Sequence, residues 1–403
     1  MAEEIRFEVI KKITELGFKY RNLNNISKLD TNSPPSVFIG SALKYPLVNV
    51  GILSPLEKDE NAWVYDDTKY WANNDFKIHD VIKLRESLLN SRFQSKIYDT
   101  RTNNNKFLQI ARDIAIASKP VDVEIELKNK LNINSSKDRV VTPHGMKGSL
   151  KQARITDNVS VNQKLDRVMG DEIKAAEGLK YLYKNSFDSY TLSKILSVGV
   201  LGLTKNKKLV PTRWSITATD DTLGKNLIKE VKEYKWIENY EVFLGEFLGN
   251  QYLILLFPSV FSFELFELYL PRSSWNPTAT IKASTDYEGY SGRKEYASST
   301  AGGYYATRLS ILEYLSSVKK QAAILAIRLE TPSYWAALGV WVVRESVRKA
   351  MNNRKLEFDN LPEFIESAKK IGKAKFDFDC SPILEKSKLL TQIKTQTRLQ
   401  DYF

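Results

Sequence analysis

Residues 240–270 read YEVFLGEFLGNQYLILLFPSVFSFELFELYL, and this stretch decides the fold class. It holds three strand-like runs, Tyr240 to Phe247, Gln251 to Phe257 and Phe261 to Leu270, with almost nothing between them. The runs are dense in aromatic and aliphatic residues, which suit a pleated, buried surface. Gly249-Asn250 supplies a hairpin turn, so the first two runs pair antiparallel. Outward from this block, further strands are expected over Tyr45 to Leu53, Val121 to Leu127, Thr278 to Ser284 and Ala322 to Leu329. Elsewhere the apolar spacing is helical. It predicts helices over 3–16, Ile78 to Phe93, Lys106 to Ser118, Leu165 to Lys184, Tyr190 to Val198 and Asp220 to Tyr234. Further helices are expected over Tyr304 to Val318, Val340 to Met351 and Pro362 to Ile371. The mixture is α+β, with helices around a largely antiparallel sheet. Residues 1–373 read as the core, with a lobe boundary expected in the polar stretch 128–160. Beyond Lys373 apolar density falls, so 374–395 reads as a flexible tether with a local turn near Pro382.

Composition narrows the function. The chain has 403 residues, 42% of them hydrophobic, which is ample for a folded core. Lys and Arg number 60 against 48 acids, a formal charge of +12. That excess suits a polyanionic partner, nucleic acid first, or else a solvated Lys-rich surface. The single cysteine, Cys380, excludes an intramolecular disulfide and a Cys-based zinc site; its place near the tail suggests neither a core nor a catalytic role. Only His79 and His144 are present, so any metal site must use oxygen ligands, which points to Mg²⁺ or Mn²⁺. No apolar run reaches membrane-spanning length and no signal-peptide pattern opens the chain, so a soluble, cytoplasmic, nucleoid-associated protein is expected.

Three segments concentrate polar chemistry. In 207–221, Lys208 and Arg213 suit phosphate, and Trp214 suits stacking on a base or ribose. Asp220 and Asp221 follow as potential ligands for a divalent ion, or as acids that favour a helix start capped by Thr219. In 283–297, Asp286 and Glu288 share one face of an extended chain and suit a Mg²⁺ site, or else pair with Arg293 and Lys294 in a solvated loop. In 298–308, Ser299, Thr300, Gly302 and Gly303 precede a helix bearing Arg308, a pattern that turns backbone N–H groups toward an anion or simply caps and packs the helix. Arg344 and Arg348, four apart, add a cationic helix face.

The last eight residues, 396–403, read QTRLQDYF. Gln396, Leu399, Tyr402 and Phe403 resemble the peptide by which proteins dock on the DNA sliding clamp, PCNA. On one tight turn the three apolar residues form a plug for a hydrophobic pocket.

Longer blocks carry a broader resemblance. They are Ser33-Pro34-Pro35-Ser36-Val37-Phe38-Ile39-Gly40, the run Val210 to Ala218, Gly292-Arg293 with Tyr296-Ala297, Thr300 to Ala306 with Arg308, and Gly339-Val340-Trp341 with Arg344-Glu345 and Arg348. In these the chain resembles the archaeal Nre proteins. The resemblance implies a DNA-repair-associated protein that binds PCNA through its C-terminal peptide. Some members carry an N-terminal Cys cluster suggestive of zinc; this chain lacks it, so no zinc is expected. The resemblance brings no reaction with it. The leading reading is a clamp-recruited factor whose basic core binds DNA. The alternatives are a Mg²⁺- or Mn²⁺-dependent enzyme on nucleic acid or a nucleotide, and a protein adaptor.

Overall fold

The fold was analysed in a computed structural model, which describes residues 27–102, 104–128 and 143–395. The expected helix at 3–16 lies outside these. The described residues divide into two units at Leu223 and Gly224: one takes 27–223 with 337–339, the other 224–336 with 340–395.

The first unit begins with strands β1 (Lys28–Ser33), β2 (Val37–Ile39) and β3 (Leu47–Ser54), then helices α1 (Thr68–Asn73) and α2 (Ile78–Glu86). Strand β4 (Leu89–Lys96), helix α3 (Lys106–Ile116), and strands β5 (Val121–Leu127) and β6 (Lys147–Ile155) follow. Helices α4 (Gln163–Gly170), α5 (Ala175–Lys184) and α6 (Ser189–Ser197) lead to α7 (Thr212–Val231), which contains the unit boundary. The six strands form one sheet in the order β1-β5-β6-β4-β3-β2, antiparallel except for β4 against β6.

The second unit holds β7 (Tyr240–Phe247), β8 (Asn250–Phe257), β9 (Ser262–Tyr269), β10 (Lys282–Glu288), α8 (Ala301–Val318) and β11 (Ala323–Glu330). Helix α9 (Val340–Asn352), strand β12 (Leu356–Phe358), and helices α10 (Leu361–Phe376), α11 (Ser381–Lys386) and α12 (Lys388–Thr395) complete it. The sheet order is β10-β9-β11-β8-β7-β12, with only β9 and β11 parallel. The β7–β8 turn lies one residue earlier than expected, at Leu248-Gly249 with Asn250 already in β8: Leu248 and Gly249 both have positive φ, 49° and 75°, as the tightest hairpins require. Strands β8 and β11 are apolar almost throughout because helices cover both faces. Leu253, Leu255, Phe257, Leu325, Ile327 and Leu329 form a core with Phe364, Ile383, Leu384, Leu389 and Leu390 of α10–α12.

The α+β class holds, with two sheets rather than one. Several expectations are corrected. The helix expected over Ile78 to Phe93 stops at Glu86, and Leu89, Ser91, Phe93 and Ser95 alternate inward along β4. The helix expected over Leu165 to Lys184 is two helices, parted at 171–174. The strand expected over Thr278 to Ser284 starts four residues later, because the Asn276 side chain holds Thr278, Thr280 and Tyr269 in a turn. Helix α7 starts at Thr212, so Thr219 is no cap and Asp220 and Asp221 lie mid-helix. The stretch 128–160 marks no lobe boundary: β6 lies in the middle of the first sheet, while 129–142 fall outside the described residues.

The flexible tether is also corrected. Residues 381–395 are helical, and their apolar side chains are buried in the second unit's core. Cys380, expected to be peripheral, belongs to the same core. Buried Glu264 fixes the start of α12. It accepts from Ser387 Oγ at 2.5 Å, Lys388 N at 3.1 Å and Leu389 N at 3.0 Å, a carboxylate at a helix N-terminus. The clamp-like peptide with Gln396, Leu399, Tyr402 and Phe403 lies outside the described residues.

Candidate nucleic-acid interface

The second and third polar segments come together in the second unit, between its sheet and α8. Asp286 and Glu288 share one face of β10, as their spacing predicts, and that face meets α8. Asp286 accepts from the Thr300 backbone N–H at 2.8 Å and the Thr300 hydroxyl at 2.9 Å, and pairs with Arg293 at 3.0 Å. The start of α8 does face an anion, and that anion is the protein's own carboxylate. Glu288 receives Arg308 Nη1 on both oxygens, at 3.0 and 2.9 Å. Both side chains are 1% exposed. The Tyr304 and Tyr305 rings each lie 5.5 Å from the Arg308 guanidinium, and burial raises the Tyr304 pKa.

The same layer continues along the sheet. Arg328 on β11 pairs with Glu267 at 2.5 Å and Glu330 at 3.3 Å, and donates to Asn250. Burial, the largest single effect, opposes the charge on Arg328, yet Glu267, Tyr252, Glu330 and Tyr269 together outweigh it and hold the pKa well above the usual value. Burial pushes Glu330 up to about 7 against the pull of Arg328. Gly303 is required here, since a Cβ would stand 2.2 Å from Glu267 Oε1.

These geometries revise the roles expected of several residues. Arg308 and Arg344 are each 1% exposed and present no guanidinium to a surface phosphate. Arg293 spends its donors on Asp286 and on the carbonyls of Tyr287, Glu295 and Tyr296. Arg348 pairs with Glu313 and Glu345, so the cationic face expected of α9 is neutralised. Thr300, Gly302 and Gly303 are buried, while Ser299 is exposed. Asp286 and Glu288 balance arginines and hydroxyls instead of standing ready for an ion, and Asp220 is fully buried. Among the described residues no three His, Cys, Asp or Glu side chains gather to hold a metal ion.

The first polar segment lies in the first unit, in a different setting. Residues 208–210 run beside the end of β4, with Leu209 N donating to Ile97 O at 2.8 Å. Pro211 then opens α7, as proline at a helix start does, and its carbonyl accepts from Trp214 N at 2.8 Å. Lys208, Arg213 and Trp214 are all exposed; Trp214 shows 57% of its surface. They meet the β3–β4 end of the sheet, where Leu47 is registered opposite Lys96. A cavity of about 150 Å³ opens there, lined by Leu43, Tyr45, Leu47, Ile97, Lys208 and Trp214, among others. Tyr45, 64% exposed, shares a 2.5 Å hydrogen bond between hydroxyls with Tyr98. The Arg101 guanidinium lies 4.4 Å from the Tyr98 ring centre and donates to Lys207 O at 2.9 Å. The sequence reading missed Tyr45, Tyr98 and Arg101. The only signal was aromatic residues beside Lys44, Lys96 and Arg101 at strand ends. Nothing short of the strand register joins them to Trp214.

Both histidines lie in the first unit. His79 is exposed beside Asp80 at 3.0 Å. His144 is buried 4.8 Å from the Phe38 ring, and burial with the neighbouring Arg85 pushes its pKa down to about 3. Among the described residues no helix is long and apolar enough to cross a membrane.

Comparison with known proteins agrees with the resemblance. The profile "Archaeal Nre, N-terminal" matches residues 1–276 and "Archaeal Nre, C-terminal" matches 288–402. The gap between the two profiles, residues 277–287, takes in most of β10, inside the second sheet. The chain is 39% identical over 355 residues to "DNA repair protein NreA" of Haloferax volcanii, covering 87% of this chain and 84% of that one. It is 37% identical to "DNA repair protein NreA" of Archaeoglobus fulgidus, covering 87% and 88%. To "DNA repair protein NreB" of the same organism it is 32% identical over 368 residues, covering 91% and 90%. No solved structure matches the chain. Two profiles that together span nearly all of its length, with three relatives above 30% identity, show that the chain belongs to the archaeal Nre family.

Proposed function

We propose that this protein is a DNA-repair factor that holds DNA on the exposed basic and aromatic face of its first unit. In this reading Gln396, Leu399, Tyr402 and Phe403 bring it to the sliding clamp. The names of its relatives support the repair role. The observation that carries the DNA-binding role is the exposure of Lys208, Arg213 and Trp214 beside Tyr45, Tyr98 and Arg101, whereas the arginines of the second unit's buried layer are committed to carboxylates. Exposed cations neutralise phosphates and release counterions, and exposed aromatic rings stack on bases. The excess of 60 basic over 48 acidic residues suits the same partner. A nucleoid-associated cytoplasmic location follows from DNA binding.

The test is a salt series of DNA-binding isotherms. Lys208→Ala with Arg213→Ala weakens binding and lowers the salt slope by roughly 1 for each phosphate no longer neutralised. An unchanged slope refutes the assignment of this face. Phosphate held by Lys and Arg needs no divalent ion, so chelation leaves affinity unchanged. Strand cleavage dependent on Mg²⁺ or Mn²⁺ would instead favour the enzyme reading. In a titration with purified clamp, Tyr402→Ala with Phe403→Ala abolishes binding, and unchanged affinity refutes the clamp role.

A further inference from the structure

We infer that the cavity lined by Tyr45 and Trp214 receives one unpaired base, so that this face prefers single-stranded or locally opened DNA over intact duplex. The inference rests on the DNA-binding reading above and goes beyond it in naming the DNA form. Four observations carry it. The first is size: about 150 Å³ is room for one flat heterocycle and far too little for a base pair. The second is the chemistry of the walls. Leu43, Leu47, Val48, Ile97 and Leu209 line it with apolar surface, while Tyr45 and Trp214 bring exposed rings, at 64% and 57%. A base offers an apolar face to such walls and stacks on the rings without regard to sequence.

The third observation is rigidity. Tyr45 is tied to Tyr98 through their hydroxyls, and Arg101 braces Tyr98 by lying against its ring while donating to the Lys207 carbonyl. Trp214 stands in the first turn of a 20-residue helix, and Pro211, the residue before that helix, also lines the cavity. The rings are therefore placed before any ligand arrives, which lowers the entropic cost of binding. The fourth is charge. Lys44, Lys96, Arg101, Lys208 and Arg213 lie on the segments that build the cavity, and all five are exposed, as a strand's phosphates require on either side of an inserted base. A base stacked within a duplex cannot reach a cavity of this kind, because it must first leave its partner and its neighbours. That cost, absent in a single strand, is the source of the preference. An apolar side chain of a protein partner would fill the same space but makes no use of the surrounding cations.

The experiment places 2-aminopurine in the middle of a single-stranded oligonucleotide, in the matched duplex, and in a duplex where it stands opposite an abasic site. The full-length protein is titrated into each. The expected result is tighter binding of the single strand and the abasic duplex than of the matched duplex, with quenching of 2-aminopurine emission on binding the first two. Trp214→Ala weakens single-strand binding by roughly five- to 150-fold, the range for one base stack, and removes the quenching. Trp236→Ala, at a similarly exposed tryptophan that does not line the cavity, changes neither. Equal affinity for single strand and matched duplex, or Trp214→Ala without effect on quenching, overturns the inference while leaving DNA binding in place. Absence of binding to all three DNAs overturns the DNA-binding reading itself, and the base cavity with it.

Discussion

Glu288→Ala is the substitution that most directly separates a structural from a functional role for the layer between α8 and the second sheet. Glu288 and Arg308 are each 1% exposed, and one guanidinium nitrogen reaches both carboxylate oxygens, at 3.0 and 2.9 Å. Removing the carboxylate takes from the buried guanidinium the counter-charge that meets its Nη1. Arginine cannot shed its proton to relieve the loss. Broken buried pairs cost about 3–5 kcal/mol. The Tyr304 and Tyr305 rings soften this, since each centroid lies 5.5 Å from the guanidinium, but a ring quadrupole does not replace a carboxylate. A destabilisation of about 3 kcal/mol is the expected outcome, a large share of the roughly 5–15 kcal/mol typical of a whole protein. With two units in the chain, a single melting temperature is a poor readout. Hydrogen exchange of the β9, β10 and α8 amides reports the second unit directly. The companion variant, Glu288→Leu with Arg308→Met, removes both charges of the pair and is more stable than Glu288→Ala, because well-packed apolar residues replace buried ion pairs at little cost. It also retains DNA binding if the pair is structural. A Glu288→Ala protein with exchange unchanged to within about 1 kcal/mol would refute this reasoning. So would a double variant as unstable as the single one.

Glu264→Ala deprives the start of α12 of its acceptor for Ser387, Lys388 and Leu389. A destabilisation of about 3 kcal/mol, summed from a buried cap and its stranded donors, appears as faster proteolysis within 381–395, and unchanged cleavage there would contradict it. Burial raises Glu86 to about 7, so its proton is held more tightly in the folded than in the unfolded chain. The stability this confers is fully present below the unfolded value near 4.5 and is lost as pH rises to about 7, at most about 3 kcal/mol. Glu86→Gln therefore stabilises the first unit at about pH 8 and has little effect at about pH 4. Paired denaturant titrations across that window check it, and because His144 titrates alike in both proteins, its contribution cancels from the difference.

Sequence reading reached the parts of this fold where the pattern is local. The β7–β8 hairpin and β9 were legible because their runs are long and rich in strand-forming residues, with a glycine in the tight turn between the first two. Strand β4 was not, because it follows α2 after Ser87 with no Gly or Pro between them, and its inward positions include small serines. Helix α7 was placed eight residues late: the two acids at 220 and 221 resembled a first turn, and the proline at 211, the true signal, went unused. The buried charge layer shows a different limit. Asp286 and Glu288 were read correctly as sharing one face. Their partners Thr300 and Arg308 lie 14 and 20 residues away, across a loop and on another element. Residue type named the carboxylates and cations, and only the tertiary pairing showed that they answer one another. In the first unit, Lys208, Arg213 and Trp214 were legible as a basic and aromatic cluster, whereas Tyr45 and Tyr98 join them only through the pairing of β3 with β4.

The correction at 374–395 also alters how the proposed clamp contact would act. A flexible tether of about twenty residues would give a reach of roughly 25 Å and let the core sample DNA on every side of the clamp. Instead Leu389 and Leu390 are buried, Glu264 fixes the start of the last described helix, and that helix is described as far as Thr395. In the proposed complex the clamp is therefore held close to the second unit. The gain in effective concentration then depends on whether this geometry allows both contacts at once, since linked sites that cannot be engaged together gain nothing from the link. The packed helices make clamp recruitment a question of orientation as well as of affinity.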